Sequence, residues 1–149
     1  MNNSNQKKHV LIFEDDIDLA SQWVRKFKKE GMVPCHAINI DEAVSYCNQM
    51  EFDAVVLDIF LVDEKGNFLP QGGLTLISYL RNSSLGKVPE WGKEVPVVIV
   101  TGAIVSGGFD PVSNIKSLGG SYKVDSLNKP FTPDELFETI EKVIKTEEH

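Results

Sequence analysis

The chain has 149 residues, 42% of them hydrophobic and 25% charged, which is the size and balance of one ordinary globular domain able to bury a core without disulfides or a structural metal. The formal net charge of -7 leaves no surplus of Lys and Arg for a phosphate backbone, so no direct nucleic-acid binding is expected, and the longest apolar run, around Val95 to Val100, is far too short to cross a membrane. Cys35 and Cys47 have neither CxxC nor CxxH spacing, which sets aside a zinc site and a disulfide framework and suits a reducing cytosol, the expected location.

Residues 1–8 are polar, lack the apolar stretch of a signal peptide, and read as a disordered lead-in to a domain spanning 9–146. His9 to Phe13 predicts a strand that ends at Glu14, Asp15 and Asp16. Ala20, Trp23, Val24 and Phe27 follow at helical spacing, with Asp16 as the N-cap and Gly31 as the stop. Val33 to Ile38 reads as a second strand. Asp41 to Met50 reads as a helix with Ala43, Val44 and Cys47 on one face, and Ala54 to Leu57 as a third strand ending at Asp58. Leu74, Ile77 and Leu80 outline a third helix. Val95 to Val100 is a nearly all β-branched run ending at Thr101, the pattern of a strand buried on both faces. A fourth helix is expected between Ile104 and Leu118, and a fifth strand around Lys123 to Leu127 leading to Lys129 and Pro130. The last helix announces its start with Thr132 as N-cap, Pro133 at the first helical position and Glu135 completing a capping box; Leu136, Ile140, Val143 and Ile144 form its buried stripe.

Alternating strands and helices imply a parallel sheet covered on both faces, with right-handed crossovers. Ligands of such sheets bind beyond the carboxyl ends of the strands. Glu14, Asp15, Asp58, Thr101 and Lys129 all stand at those ends. Carboxylates brought together repel one another unless a cation intervenes. Magnesium suits them, because it takes hard oxygen ligands and keeps exchangeable waters. A phosphoryl group beside them needs positive charge and donors, which Lys129, the metal and Thr101 can supply, and one carboxylate can then serve as nucleophile.

Four segments in order strengthen this reading. "HVLIFEDD" (His9–Asp16) resembles the first strand and acidic pair of response-regulator receiver domains, and "FDAVVLDIFLVDEKG" (Phe52–Gly66) resembles their phosphoacceptor strand and loop. "VPVVIVTGA" (Val95–Ala103) is similar to their switch-threonine strand, and "NKPFTPDEL" (Asn128–Leu136) to their lysine–proline turn and final helix. The resemblance implies an α/β fold, a doubly wound five-stranded parallel sheet of flavodoxin-like order 2-1-3-4-5 with helices on both faces. It implies Asp58 as phosphoacceptor; Glu14, Asp15, Asp58 and the Phe60 carbonyl as the Mg2+ site, with Glu14 acting through water; Thr101 as the switch; and Lys129 as the phosphoryl partner, paired with Asp58 before modification. The Lys129–Pro130 bond resembles one often cis in the family. The implied function is a phosphorylation-dependent signalling switch and not an enzyme. A sensor histidine kinase or phosphotransfer protein would be the donor, and an unidentified output partner would read the surface of the fourth helix, fifth strand and last helix, with no membrane involved. The chain is read as a stand-alone regulator or as part of a longer one.

Val62 stands where the family usually has Pro, and Ser126 where it often has Tyr or Phe; Tyr122 is a candidate substitute. Extra residues at Asn67–Gly73, around Ser83–Glu94 and before Lys123 are expected to lengthen loops. His9, His36 and His149 show no ligand spacing and read as surface or strand-edge residues. Trp91 reads as a loop plug or a partner contact, and the charge run Arg25–Glu30 as the wet side of the first helix, a fair contact for the kinase or phosphotransfer partner. The alternative function is a pseudo-receiver, a protein-interaction module working without phosphorylation. A DxD-type phosphatase is disfavoured by Phe60, and a flavin-binding domain by the absence of a phosphate-cradling loop after the first strand.

Overall fold

The structure is a computed structural model that describes residues 7–58, 61–62, 68–69, 73–81, 90–101 and 123–145. Its elements in chain order are β1 (His9–Phe13), α1 (Ile17–Lys29), β2 (Val33–Ala37), α2 (Ile40–Gln49), β3 (Ala54–Asp58), β4 (Leu61–Val62), β5 (Phe68–Leu69), α3 (Gly73–Arg81), a 3-10 turn (Glu90–Lys93), β6 (Val97–Thr101), β7 (Val124–Asn128) and α4 (Pro133–Lys145). The expected lead-in before Lys7, the fourth helix, Phe60 and Tyr122 lie outside the described residues.

The main sheet has five strands in the order β2-β1-β3-β6-β7, and every neighbouring pair is parallel. This is the expected 2-1-3-4-5 order. Side chains alternate across a strand, and here both directions are buried. Leu11, Phe13, Val55, Leu57, Val97 and Ile99 meet Ala43 and Cys47 of α2 and Leu76, Ile77 and Leu80 of α3. Their neighbours Val10, Ile12, Ala54, Val56, Val98 and Val100 meet Ala20, Trp23 and Phe27 of α1 and Leu136, Ile140 and Val143 of α4. The strands that carry Asp58 and Thr101 are therefore central and clamped from both faces.

Local signals set the helix ends. Asp16 caps α1 by accepting from the Leu19 N–H at 3.0 Å, and Gly31 takes the positive φ of 88° that releases the chain toward β2. At α4 the Glu135 N–H donates to Thr132 Oγ1 at 3.0 Å while Glu135 Oε1 accepts from the Thr132 N–H at 2.7 Å, the reciprocal bonds of a capping box. Lys26 of α1 bridges Glu30 and Asp134, both at 2.8 Å, and ties α1 to α4.

The expectation of longer loops needs correction at two places. Leu61–Val62 and Phe68–Leu69 pair as a short antiparallel ribbon, because two-residue strands carry no periodicity to read. Residues Glu90–Lys93 form a 3-10 turn held by a buried arginine: Arg81 donates to the Gly92 carbonyl at 2.6 Å and to the Val95 carbonyl at 3.0 Å. Trp91 is half-buried and meets Phe52 edge to face, so it plugs the base of the sheet.

Candidate functional site

The register of the sheet assembles the site. Phe13 is opposite Leu57, so the next residues along, Glu14 and Asp58, leave adjacent strands side by side. Asp58 pairs with Val100 and Thr101 with Asn128, which places Thr101 one residue beyond the partner of Asp58 and Lys129 just past the end of β7. One oxygen from each of Glu14, Asp15 and Asp58 lies within 4.8 Å of the others. Glu14 and Asp58 are buried and Asp15 is exposed. The cleft among them is lined by Phe13, Glu14, Asp15, Ile38 and Asp58.

Lys129 enters from the far edge. Its Nζ donates to Glu14 Oε1 at 2.9 Å and to Asp58 Oδ2 at 3.3 Å. The expected pairing with Asp58 is present, but the shorter contact is to Glu14, which the sequence reading did not anticipate. The Lys129–Pro130 peptide is cis. Phe131, next in the chain, stacks on Trp23 with ring centroids 5.6 Å apart, anchoring the turn that carries the lysine.

The charges are not balanced. Burial, and then the charge of Asp58, push the Glu14 carboxyl well above the usual carboxylate range, against the opposing hydrogen bond from Lys129. Burial alone would lower the Lys129 ammonium, but the Glu14 hydrogen bond and the charges of Asp58 and Glu14 outweigh it and raise its pKa. Among the described residues, the Lys129 ammonium contacts two of the three clustered carboxylates, Glu14 and Asp58. A hard dication fits this donor set: the ligands are all oxygen, the negative potential is in excess, and the exposed Asp15 leaves one side open to water.

Of the residues singled out from sequence, Glu14, Asp15, Asp58 and Lys129 are brought together. Thr101 ends the right strand. Ser126 is exposed on β7. His36, read as a strand-edge residue, does more: its Nε2 lies 2.7 Å from the Glu14 carbonyl oxygen.

The chain belongs to the response regulator receiver domain family, whose profile it matches over residues 10–141. It is 25% identical over 139 residues to the phosphate regulon transcriptional regulatory protein PhoB of Escherichia coli, covering 93% of this chain and 52% of that one. The chain thus spans about half the length of the curated relatives it matches. Among solved structures, the chemotaxis response regulator CheY4 of Vibrio cholerae superposes with a TM-score of 0.68 at 20% identity, over 93% of this chain and 99% of that one. A response regulator from Thermotoga maritima does so with a TM-score of 0.67 at 21% identity, over 94% and 99%. These structural likenesses establish the fold, a five-stranded parallel receiver sheet with helices on both faces. Phosphorylation-dependent switching is general for the family, and the acidic cluster is present here.

Proposed function

We propose that residues 9–146 form a phosphorylation-dependent switch in which Asp58 accepts a phosphoryl group from the phosphohistidine of a sensor histidine kinase or phosphotransfer protein. The observation that carries this reading is the convergence of Glu14, Asp15 and Asp58 within 4.8 Å, with Lys129 in contact with two of them. Glu14, Asp15 and Asp58, with the Phe60 carbonyl, are the residues to hold Mg2+. When bound, the metal would supply positive charge to the phosphoryl oxygens.

An Asp58 carboxylate oxygen attacks phosphorus, a P–O bond forms, the P–N bond of the phosphohistidine breaks, and the imidazole departs with a proton. Lys129, already against Asp58, offers its ammonium to the charge that develops. Glu14 holds Lys129 in reach from the other side. Thr101, at the end of the neighbouring strand, is the group to bond a phosphoryl oxygen. Its reorientation would pass the change to the segment after β6, to β7 and to α4. An output protein would read that surface. The role is a switch, with no turnover of an outside substrate, and it suits a cytoplasmic protein; among the described residues no helix is long and apolar enough to cross a membrane.

Intact-mass spectrometry after incubation with acetyl phosphate and Mg2+, beside Asp58→Asn, tests this. One added phosphoryl mass in the parent and none in the variant is the expected result. A folded parent that gains no mass from acetyl phosphate or from a kinase, and binds no Mg2+, would be a pseudo-receiver instead.

A further inference from the structure

Glu14 is buried, and its polar atoms are closely accounted for. Its N–H donates to the Ala37 carbonyl at 3.2 Å. Its Oε1 accepts from Lys129 at 2.9 Å and its Oε2 from the Asp16 N–H at 3.1 Å. The main-chain carbonyl is the atom the sheet cannot serve. β1 and β2 pair as far as Phe13 against Ala37, and there β2 ends. The Ile38 N–H turns to Glu42 Oε1 at 3.0 Å, and Asn39 caps α2 by accepting from the Glu42 N–H at 2.9 Å. The ladder thus runs out at the first acidic residue, where a buried carbonyl needs a donor. The side chain of His36, on the last turn of pairing, supplies one with Nε2 at 2.7 Å. A carbonyl oxygen only accepts, so Nε2 carries the proton.

We propose that His36 is a positioning residue for the acidic pair. The carbonyl it holds belongs to the peptide plane joining Glu14 to Asp15, so the imidazole fixes the plane from which both carboxylates are aimed. Glu14 has further anchors through its carboxylate. Asp15 is exposed, and this peptide plane is what its Cα hangs from. The inference rests on the reading of Glu14, Asp15 and Asp58 as the Mg2+ and phosphoryl pocket. His36 touches neither metal nor phosphoryl group and acts through the main chain, as partners of ligands do in metal sites.

The test uses the full chain, His36→Leu and His36→Gln. Leucine keeps bulk and loses the donor; glutamine restores an N–H at a similar reach. Long-range 15N–1H spectra of the imidazole in the parent protein are expected to place a proton on Nε2. Calorimetric titration with Mg2+ should show His36→Leu about tenfold weaker, the lower end of what such partners contribute, and His36→Gln recovering most of the loss. With acetyl phosphate, the maximal rate at saturating Mg2+ should stay near that of the parent in His36→Leu while the Mg2+ needed for half-maximal rate rises. Thermal melts check that the variants fold; if His36→Leu does not, the spectra and His36→Gln decide. A proton on Nδ1 alone, parent-like Mg2+ affinity in folded His36→Leu, or a glutamine variant as weak as the leucine one would overturn the role. A parent that binds Mg2+ but takes no phosphoryl group would sink the proposed function while the Mg2+ arm still decides His36. A parent that binds no Mg2+ overturns both.

Discussion

Glu14 and Cys47 are both buried ionisable groups, yet their surroundings give them opposite fates. Glu14 donates its N–H to the Ala37 carbonyl, accepts from Lys129 and from the Asp16 N–H, and lines the cleft. Cys47 lies in the apolar layer between α2 and the sheet, and burial pushes its thiol up to about 12. An unfolded thiol ionises near 8.5, roughly. Between that value and about 12 the unfolded chain has lost its proton and the folded chain has not. The unfolded state then binds fewer protons, so stability contributed by Cys47 is present below the unfolded pKa and falls as pH rises through this window. At pH 8, iodoacetamide should therefore modify the half-exposed Cys35 well before Cys47, with Cys47 reacting only on unfolding. Peptide mapping after timed quenching reads this directly. Equal rates at the two cysteines would mean that α2 opens far more often than its packing implies. Cys35 stands on β2 and is half-buried, whereas the phase of α2 turns Cys47 fully into the core.

At the scale of elements, the strength of a signal follows how local its cause is. The N-cap at Asp16, the glycine after α1 and the capping box at Thr132 each involve residues within one turn, and the sequence alone placed all three. Their energetic weight is testable. Thr132→Ala removes the acceptor for the Glu135 N–H and should lower stability by about 1 kcal/mol, within the usual range for a cap. Urea denaturation with an unchanged m-value would read it; no shift in midpoint would mean that water replaces the hydroxyl at this exposed end. The five parallel strands were equally readable, because buried strands in alternation with amphipathic helices leave little choice of layer order. The β4–β5 ribbon and the 3-10 turn were not, since each depends on contacts across the fold that no periodicity announces. The same division runs through the site. Glu14, Asp15, Asp58 and Lys129 could be placed from their positions at strand ends. The preference of Lys129 for Glu14, and the reach of His36 to the Glu14 carbonyl, depend on where β2 stops relative to β1. A one-residue difference in that stop would erase the second contact, and sequence patterns place strand ends no better than that.

Across the whole molecule, the fold concentrates like charge at one edge and holds it there with packing from both faces. Among the described residues, three carboxylates and one ammonium meet at the carboxyl end of a sheet whose central strands are buried, in a chain with net charge -7. Asp58 is buried beside Glu14, and its charge is one of the forces pushing Glu14 upward. Without a divalent ion the folded state carries this repulsion and the unfolded chain does not. Asp58→Asn should therefore melt at a higher temperature than the parent in a chelating buffer, because it relieves the repulsion on Glu14 and leaves Glu14 its bond to Lys129. Added Mg2+ should reverse the order. A ligand that binds only the folded state stabilises it by roughly 2.7 kcal/mol at a hundred times its Kd. The parent should gain this in full, and the variant, having lost one of the carboxylates that would hold the ion, should gain much less. Thermal melts of both proteins with and without Mg2+ give the four numbers needed. If the variant is less stable than the parent in chelator, Asp58 contributes more through its bonds than it costs through its charge. If Mg2+ shifts both proteins equally, the ion binds away from Asp58, and the acidic cluster would have to be read as structure instead of as the site of the switch.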